Sequence, residues 1–182
     1  MKSNLAAIGF DGKLLWKTNL VEKYGTDTLY WGYGTSPVVP YGRGTRLHGI
    51  KLDGRGDVTS THRAWLREDT GTFVPTPVEY KGKVYLVRDR GEVECIDPAT
   101  GNTLWSGQLP KNASSYYASP SIAAGKVYAA REDGVVFVAR VEGDFEVLSE
   151  NNMGERLIAS PVPVANRLLI RGEQHPFCVG RP

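Results

Sequence analysis

Four prolines recur at nearly equal steps along this chain. Pro37, Pro77, Pro120 and Pro161 stand 40, 43 and 41 residues apart, and each follows a hydroxyl residue: Ser36, Thr76, Ser119 and Ser160. A period near 40 constrains the fold more than any other feature, because one such unit is too small to bury its own apolar face and must stack on its neighbours. The units read TSPVVPYG at 35–42, TPVEYKGKVYLVRDRGEVECID at 76–97, SPSIAAGKVYAAREDGVVFVAR at 119–140 and SPVPVANRLLIRGEQHPFCVG at 160–180. Within them, residues 83–87 and 126–130 are short runs rich in β-branched and aromatic residues, closed by turns that contain Gly91 and Gly134. Residues 92–96 and 135–139 follow as the next strands. DPATGNTLW at 97–105 then forms an outer hairpin, and FDGKLLW at 10–16 repeats its step from glycine to tryptophan. No segment reads as a capped amphipathic helix. The expectation is an all-β chain of four-stranded antiparallel blades, a β-propeller; a β-sandwich of similar strands is the alternative, although it needs no spaced repeat.

Composition narrows the partners. With 22 basic and 20 acidic side chains among 182 residues, the net charge is +2, which gives no electrostatic footprint for nucleic acid. The apolar runs are far shorter than the ~20 residues that cross a bilayer, so no transmembrane segment is expected. The opening MKSNLAAIGFDGKLLW has no basic stretch followed by an apolar core, and no signal peptide is read there. Two cysteines argue against a disulfide framework.

The segments SPSIAAGKVYAAREDGVVFVA and IDPATGNTLW resemble the repeat of quinoprotein-type propellers, whose pattern is SPVV, then GKVYVGS, then DGxLYALDxxTGxxLW. The chain is most similar to the non-catalytic, BamB-like branch of pyrroloquinoline-quinone-like repeat proteins. LDGRGDVT, YYASP and EQHPFCVG are similar to C-terminal stretches of planctomycete-type members. The resemblance implies a single propeller-type domain corresponding to a C-terminal portion, about four blades plus a partial one, in an open arc or an incomplete ring. Outer strands of a partial blade are expected at 1–20, an irregular blade at 35–70, blades at 74–110 and 117–150, and an incomplete last blade at 158–182. Pairing of the N-terminal outer strands with the C-terminal inner ones, closing a small ring, is a further possibility. The resemblance also implies a periplasmic or otherwise extracytoplasmic location and a scaffold for protein or ligand binding, similar to outer-membrane assembly factors. The alternative it leaves open is a fragment of a pyrroloquinoline-quinone-dependent dehydrogenase; those enzymes hold quinone and calcium with carboxylate and amide ligands and often two adjacent cysteines, and no residue here matches that set.

Candidate residues follow from the repeat. Trp16, Trp65 and Trp105 occupy one point of the outer strands, with Val147 in that place in the third unit, and are expected to pack between blades. Four residues before each proline come Tyr33, Phe73, Tyr116 and Leu157. These either wedge between blade tops or rim a central channel. The segment KYGTDTLYWGYGTS adds Tyr24, Tyr30 and Trp31 in a long connection, a place where binding residues collect. Arg88, Arg131 and Arg171 lie in the hairpins after the second strand, counted to the same face as the aromatic connections, with Tyr117 beside Tyr116. They are either solvated turn charges or a rim that grips a carboxylate or peptide through the guanidinium fork. The binding set is therefore Tyr30, Trp31, Tyr33, Phe73, Tyr116, Tyr117, Arg88, Arg131 and Arg171, facing a protein or peptide.

Other features read as structural. Cys95 and Cys178 share a register that Val138 fills in the third unit, so both are expected to be small buried side chains without a disulfide. His48, His62 and His175 have no metal spacing, and neither a metal nor a cofactor is expected. No GxSxG, P-loop or HExxH occurs, so no catalytic residue is assigned. Arg55–Gly56–Asp57 reads as a turn.

Overall fold

The computed structural model describes residues 4–8, 11–19, 46–51 and 60–180. Every described element is a β-strand, and among the described residues no helix is long and apolar enough to cross a membrane. The chain divides into two compact units, Met1–Gly34 and Thr35–Pro182. In the first, β1 (Asn4–Ile8) and β2 (Leu14–Asn19) form an antiparallel pair.

The second unit is propeller-like. It opens with β3 (Leu47–Ile50) paired to β4 (Arg63–Arg67). A four-stranded meander follows: β5 (Val78–Tyr80), β6 (Lys83–Val87), β7 (Glu92–Ile96) and β8 (Thr103–Gln108). A second has β9 (Ser121–Ala123), β10 (Lys126–Arg131), β11 (Val135–Arg140) and β12 (Glu146–Asn152). The last sheet has three strands, β13 (Val162–Val164), β14 (Arg167–Arg171) and β15 (Pro176–Gly180).

The prolines mark where these sheets meet. The hydroxyl of Ser119, just before Pro120, accepts the Thr76 N–H at 2.9 Å, and the Ser121 hydroxyl donates to the Pro161 carbonyl. Strand β9 thus sits between β5 and β13, and the short first strands line up as the inner edge of an incomplete propeller. Burial follows from that stacking. Strand β6 buries four consecutive residues, and so does β7, because a middle blade is covered on both faces and has no polar side to alternate with. One core, with Tyr85, Val87, Val93, Cys95, Val127, Val135 and Phe137, fills the space between the two complete sheets. A second, with Ala130, Val136, Leu157 and Ile170, joins the second complete sheet to the last.

The pairs β1–β2, β3–β4, β7–β8 and β11–β12 each carry a β-bulge at the turn end. Trp65 lies opposite Gly49 and Trp105 opposite Cys95 at that bulge. The corresponding pair in the third unit is Ser149 opposite Val138, not Val147. Val147 lies two residues before Ser149, across the bulge, where it pairs with Ala139 and joins the core shared with the preceding sheet. Trp65 packs toward the following sheet, where its indole N–H donates to the Pro98 carbonyl at 2.8 Å. Its ring lies on Gly101, which has φ +77° and where a Cβ would come within 2.6 Å of the indole. Trp105 stands between Tyr85 of its own sheet and Phe145 of the next, with ring centroids 5.9 and 5.7 Å away. Strand β2 includes Trp16.

A correction concerns the cysteines. Cys95 is fully buried, but Cys178, in the same register, is exposed. The following sheet covers Cys95; among the described residues no sheet lies over Cys178, which has the Arg167 guanidinium beside it, Nη1 3.9 Å from Sγ. Both thiols are free.

Candidate functional site

Tyr30, Trp31, Tyr33 and Tyr24, with Pro37 and the Arg55–Gly56–Asp57 turn, lie outside the described residues. The remaining candidates come together on one face, and backbone hydrogen bonds explain why. The connection leaving β8 passes beside the β6–β7 turn of its own sheet, where Leu109 N donates to Gly91 O at 2.8 Å and Tyr116 N to Asp89 O at 3.0 Å. The β10–β11 turn of the next sheet then donates back, from Glu132 N to Ser115 O at 2.9 Å. One unit on, the pattern repeats: Met153 N to Gly134 O, Leu157 N to Glu132 O, and Glu173 N to Arg156 O. Turns and connections therefore alternate in a laced rim. The packing is close at Gly134, with φ +99°, where a Cβ would meet the Glu155 carbonyl oxygen at 2.5 Å.

Within this rim the expected binding residues separate into two groups. Tyr116 is 1% exposed and Arg131 4% exposed, so neither is offered to a partner. The Arg131 guanidinium lies over the Phe137 and Tyr116 rings, 4.8 and 5.9 Å from their centroids. It makes a two-pronged ion pair with Asp133, from Nε at 2.8 Å and Nη2 at 2.9 Å. Its Nη1 donates to the Pro110 carbonyl at 3.0 Å, an oxygen that also accepts the Tyr116 hydroxyl at 3.0 Å. Burial pushes the Tyr116 phenol up to about 12, and the Asp133 hydrogen bond holds the Arg131 guanidinium charged. Leu157, at the position equivalent to Tyr116, is fully buried. These side chains are wedges between blade tops.

The second group faces out. Arg171 is exposed, while Arg88, Phe73 and Tyr117 are half-buried. Neither Arg88 nor Arg171 makes a close ion pair among the described residues. Arg88 also borders a shallow depression of about 460 Å³ with Glu92, Glu94, Ser106 and Gln108. Of the residues three before Pro77, Pro120 and Pro161, the sequence reading named Tyr117 and missed the other two: Val74 is 38% exposed, Tyr117 half-buried and Ile158 50% exposed. Their signal was available, since the wedge position next to them was recognised. A wedge that turns inward sends its neighbour outward in extended chain.

Two polar groups beneath the rim were not legible in the sequence. Asp89 has a buried Oδ1 with no hydrogen-bond partner; burial raises its carboxyl, against the backbone N–H groups of Val74 and Phe73 that lower it. Deeper, Glu94 is 7% exposed and accepts from Arg67 Nη1 at 2.9 Å and from the hydroxyls of Thr70 and Thr103. Arg67 also grips Asp69 with Nε and Nη2, at 2.8 and 2.6 Å, and donates to Gly101 O. This network joins the β3–β4 sheet to the next through polar contacts, where Phe137 makes the equivalent contact apolar one sheet later. Among the described residues no group of three or more His, Cys, Asp or Glu is arranged to hold a metal ion.

Comparison with known proteins agrees with this architecture. Residues 2–144 match the family model described as outer membrane protein assembly factor BamB. The crystal structure of BamB from Moraxella catarrhalis is similar at 18% identity and TM-score 0.53, over 93% of this chain and 50% of that one. The chain thus spans half the length of that relative. The computationally designed Ika4 protein is similar at 13% identity and TM-score 0.57, over 80% of this chain and 96% of that one. Quinohemoprotein alcohol dehydrogenase from Comamonas testosteroni is similar at 21% identity and TM-score 0.44, over 53% of this chain and 16% of that one. No curated protein sequence matches the chain.

Proposed function

The chain belongs to the BamB family of pyrroloquinoline-quinone-like propeller repeat proteins, and from that premise we propose that it is a non-enzymatic scaffold of the bacterial cell envelope, binding a protein or peptide on its laced rim. One observation carries the reading. The turn-and-connection lacing presents Val74, Tyr117 and Ile158 outward at equivalent positions of successive units, beside the arginines Arg88 and Arg171. An array of apolar side chains with cations at its margin suits an extended segment that carries apolar residues and carboxylates. Rigid lacing beneath lowers the entropy lost on binding. Tyr30, Trp31 and Tyr33 belong to the same proposed set.

A photo-crosslinking amino acid placed at Tyr117 or Ile158 in cells tests this. Adducts to an envelope protein are expected from both positions and not from Leu104 or Leu148, which are exposed on the outer strands. The paired change Val74→Asp and Ile158→Asp should remove the adducts while leaving the melting temperature unchanged. Equal adducts from the outer strands, or none at the rim, would overturn the proposal. A saturable absorbance change on titration with pyrroloquinoline quinone and calcium would replace it with a dehydrogenase fragment.

A further inference from the structure

Arg88 and Arg131 open turns of the same shape. Gly91 N donates back to Arg88 O at 2.8 Å and Gly134 N to Arg131 O at 3.1 Å, both glycines having left-handed backbone. The surroundings of the two arginines differ at three equivalent places. Where Arg131 has Asp133 two residues on, Arg88 has Arg90. Where Arg131 rests on the Phe137 ring, the register holds Glu94, and Glu92 stands in the place of Val135. Arg131 is saturated and 4% exposed, whereas Arg88 is half-buried and its side chain makes no hydrogen bond or ion pair among the described residues. Beside Arg88 lies the depression of about 460 Å³ that Glu92, Glu94 and Ser106 also line. Most carboxylates near it already have partners. Glu94 is held by Arg67 and the hydroxyls of Thr70 and Thr103, and Asp69 by the Arg67 fork. The Glu92 side chain, like that of Arg88, has no partner among the described residues.

We propose that this depression is a carboxylate-binding subsite, in which Arg88 takes from a partner the two-pronged contact that Arg131 takes from Asp133. A guanidinium fork matches the two oxygens of a carboxylate, and partial burial makes the pair stronger than one on open surface. Glu92, on the adjacent strand, accepts an N–H, so the ligand carries a carboxylate next to an amide N–H. An acidic side chain in an extended segment presents that combination, and so does the carboxyl end of a peptide. Ser106 keeps the entrance open, being small where β12 has Glu150. The subsite rests on the rim reading for the existence of a partner and deepens it. Of Arg88, Arg131 and Arg171, only Arg88 lines the depression, so it is the one that selects the carboxylate.

The full chain, isotopically labelled for NMR, is titrated with three probes. Acetyl-aspartyl-alanine amide offers a side-chain carboxylate, acetyl-alanyl-alanine a free chain end, and acetyl-alanyl-alanine amide neither. The Arg88 Nε–H signal, assigned by its loss in Arg88→Gln, should shift saturably with an acid and not with the uncharged amide. The signal of buried Arg131 should stay in place, and the tighter acid identifies the source of the carboxylate. Arg88→Gln should weaken that acid about tenfold or more, read from the other signals of the depression. Arg90→Asp should recreate within the turn the pair that Arg131 makes with Asp133, raising the melting temperature and weakening the acid by about the same factor. No saturable shift at Arg88, an equal response to the uncharged amide, or unchanged affinity in Arg90→Asp would overturn the subsite. Crosslinks at the rim with a silent Arg88 would remove the subsite and keep the rim reading; a responsive Arg88 without crosslinks would do the reverse.

Discussion

The Arg131 guanidinium rests 4.8 Å from the centroid of Phe137, two strands of one hairpin folded so that the cation covers the ring. Its other bonds, to Asp133 and the Pro110 carbonyl, use three of its five N–H donors, and the residue is only 4% exposed. Arg131→Ala should therefore destabilise the chain by about 2–4 kcal/mol, combining lost packing with a stranded carboxylate. Arg131→Lys should recover little, because an ammonium cannot span ring, carboxylate and carbonyl together. Urea unfolding monitored by tryptophan fluorescence measures both, and a loss under half a kcal/mol for Arg131→Ala would contradict the wedge assignment.

Glu94 is the mirror case. Removing its carboxylate leaves Asp69 as the counter-charge of Arg67 and takes the acceptor from the Thr70 and Thr103 hydroxyls, so Glu94→Ala should cost about 2–3 kcal/mol. Replacing both partners, Arg67→Met with Glu94→Leu, should return most of that loss, since Phe137 makes the place of Glu94 apolar one sheet later. A double-mutant cycle from denaturation midpoints separates the coupling from the single losses.

Acid titration should reveal two carboxylates of opposite sign. The Arg67 hydrogen bond lowers Asp69 to about 2, so its contribution is complete above its unfolded value near 3.8 and declines as pH falls toward 2. The side chain is 69% exposed and screened, so the effect should shrink in high salt. Asp89 is raised by burial, so stability is lost as pH climbs from the unfolded value through the folded one. Asp69→Asn should flatten the acid limb of a stability–pH curve, and Asp89→Asn should remove the loss on its rising side. Identical curves for wild type and both variants would refute the assignments.

Two glycines with left-handed backbones should respond unequally to alanine. Gly143→Ala, where a Cβ meets nothing within 4 Å, should cost about 1 kcal/mol from backbone strain alone. Gly134→Ala adds a collision with the Glu155 carbonyl and should cost about 2 kcal/mol more, because the laced connection must shift. Equal losses by thermal unfolding would mean that the connection yields freely.

Repeat spacing, strand pattern and the sharing of one face by turns and aromatic connections were all legible in the chain, because each is a matter of local periodicity that neighbours in sequence decide. Which members of an equivalent set face inward was not. Tyr116 and Tyr117 are adjacent and both aromatic, yet only the lacing to Asp89 settles that the first is the wedge. Cys95 and Cys178 share a register, and their opposite exposure depends on whether a strand and a sheet lie beyond them, which no local pattern records. Val147 was misplaced because it sits across the bulge from Ser149, opposite Ala139, and a residue count along the chain does not locate a bulge. The Arg67–Glu94 pair joins residues 27 apart through a polar patch that looks like ordinary surface charge until two sheets close on it. Sequence by itself determined the unit and its period, since these are written in backbone preference and hydrophobic alternation. Only tertiary stacking decided what is covered and what is left to meet a partner, because burial is a property of neighbouring sheets and not of the strand that carries the residue.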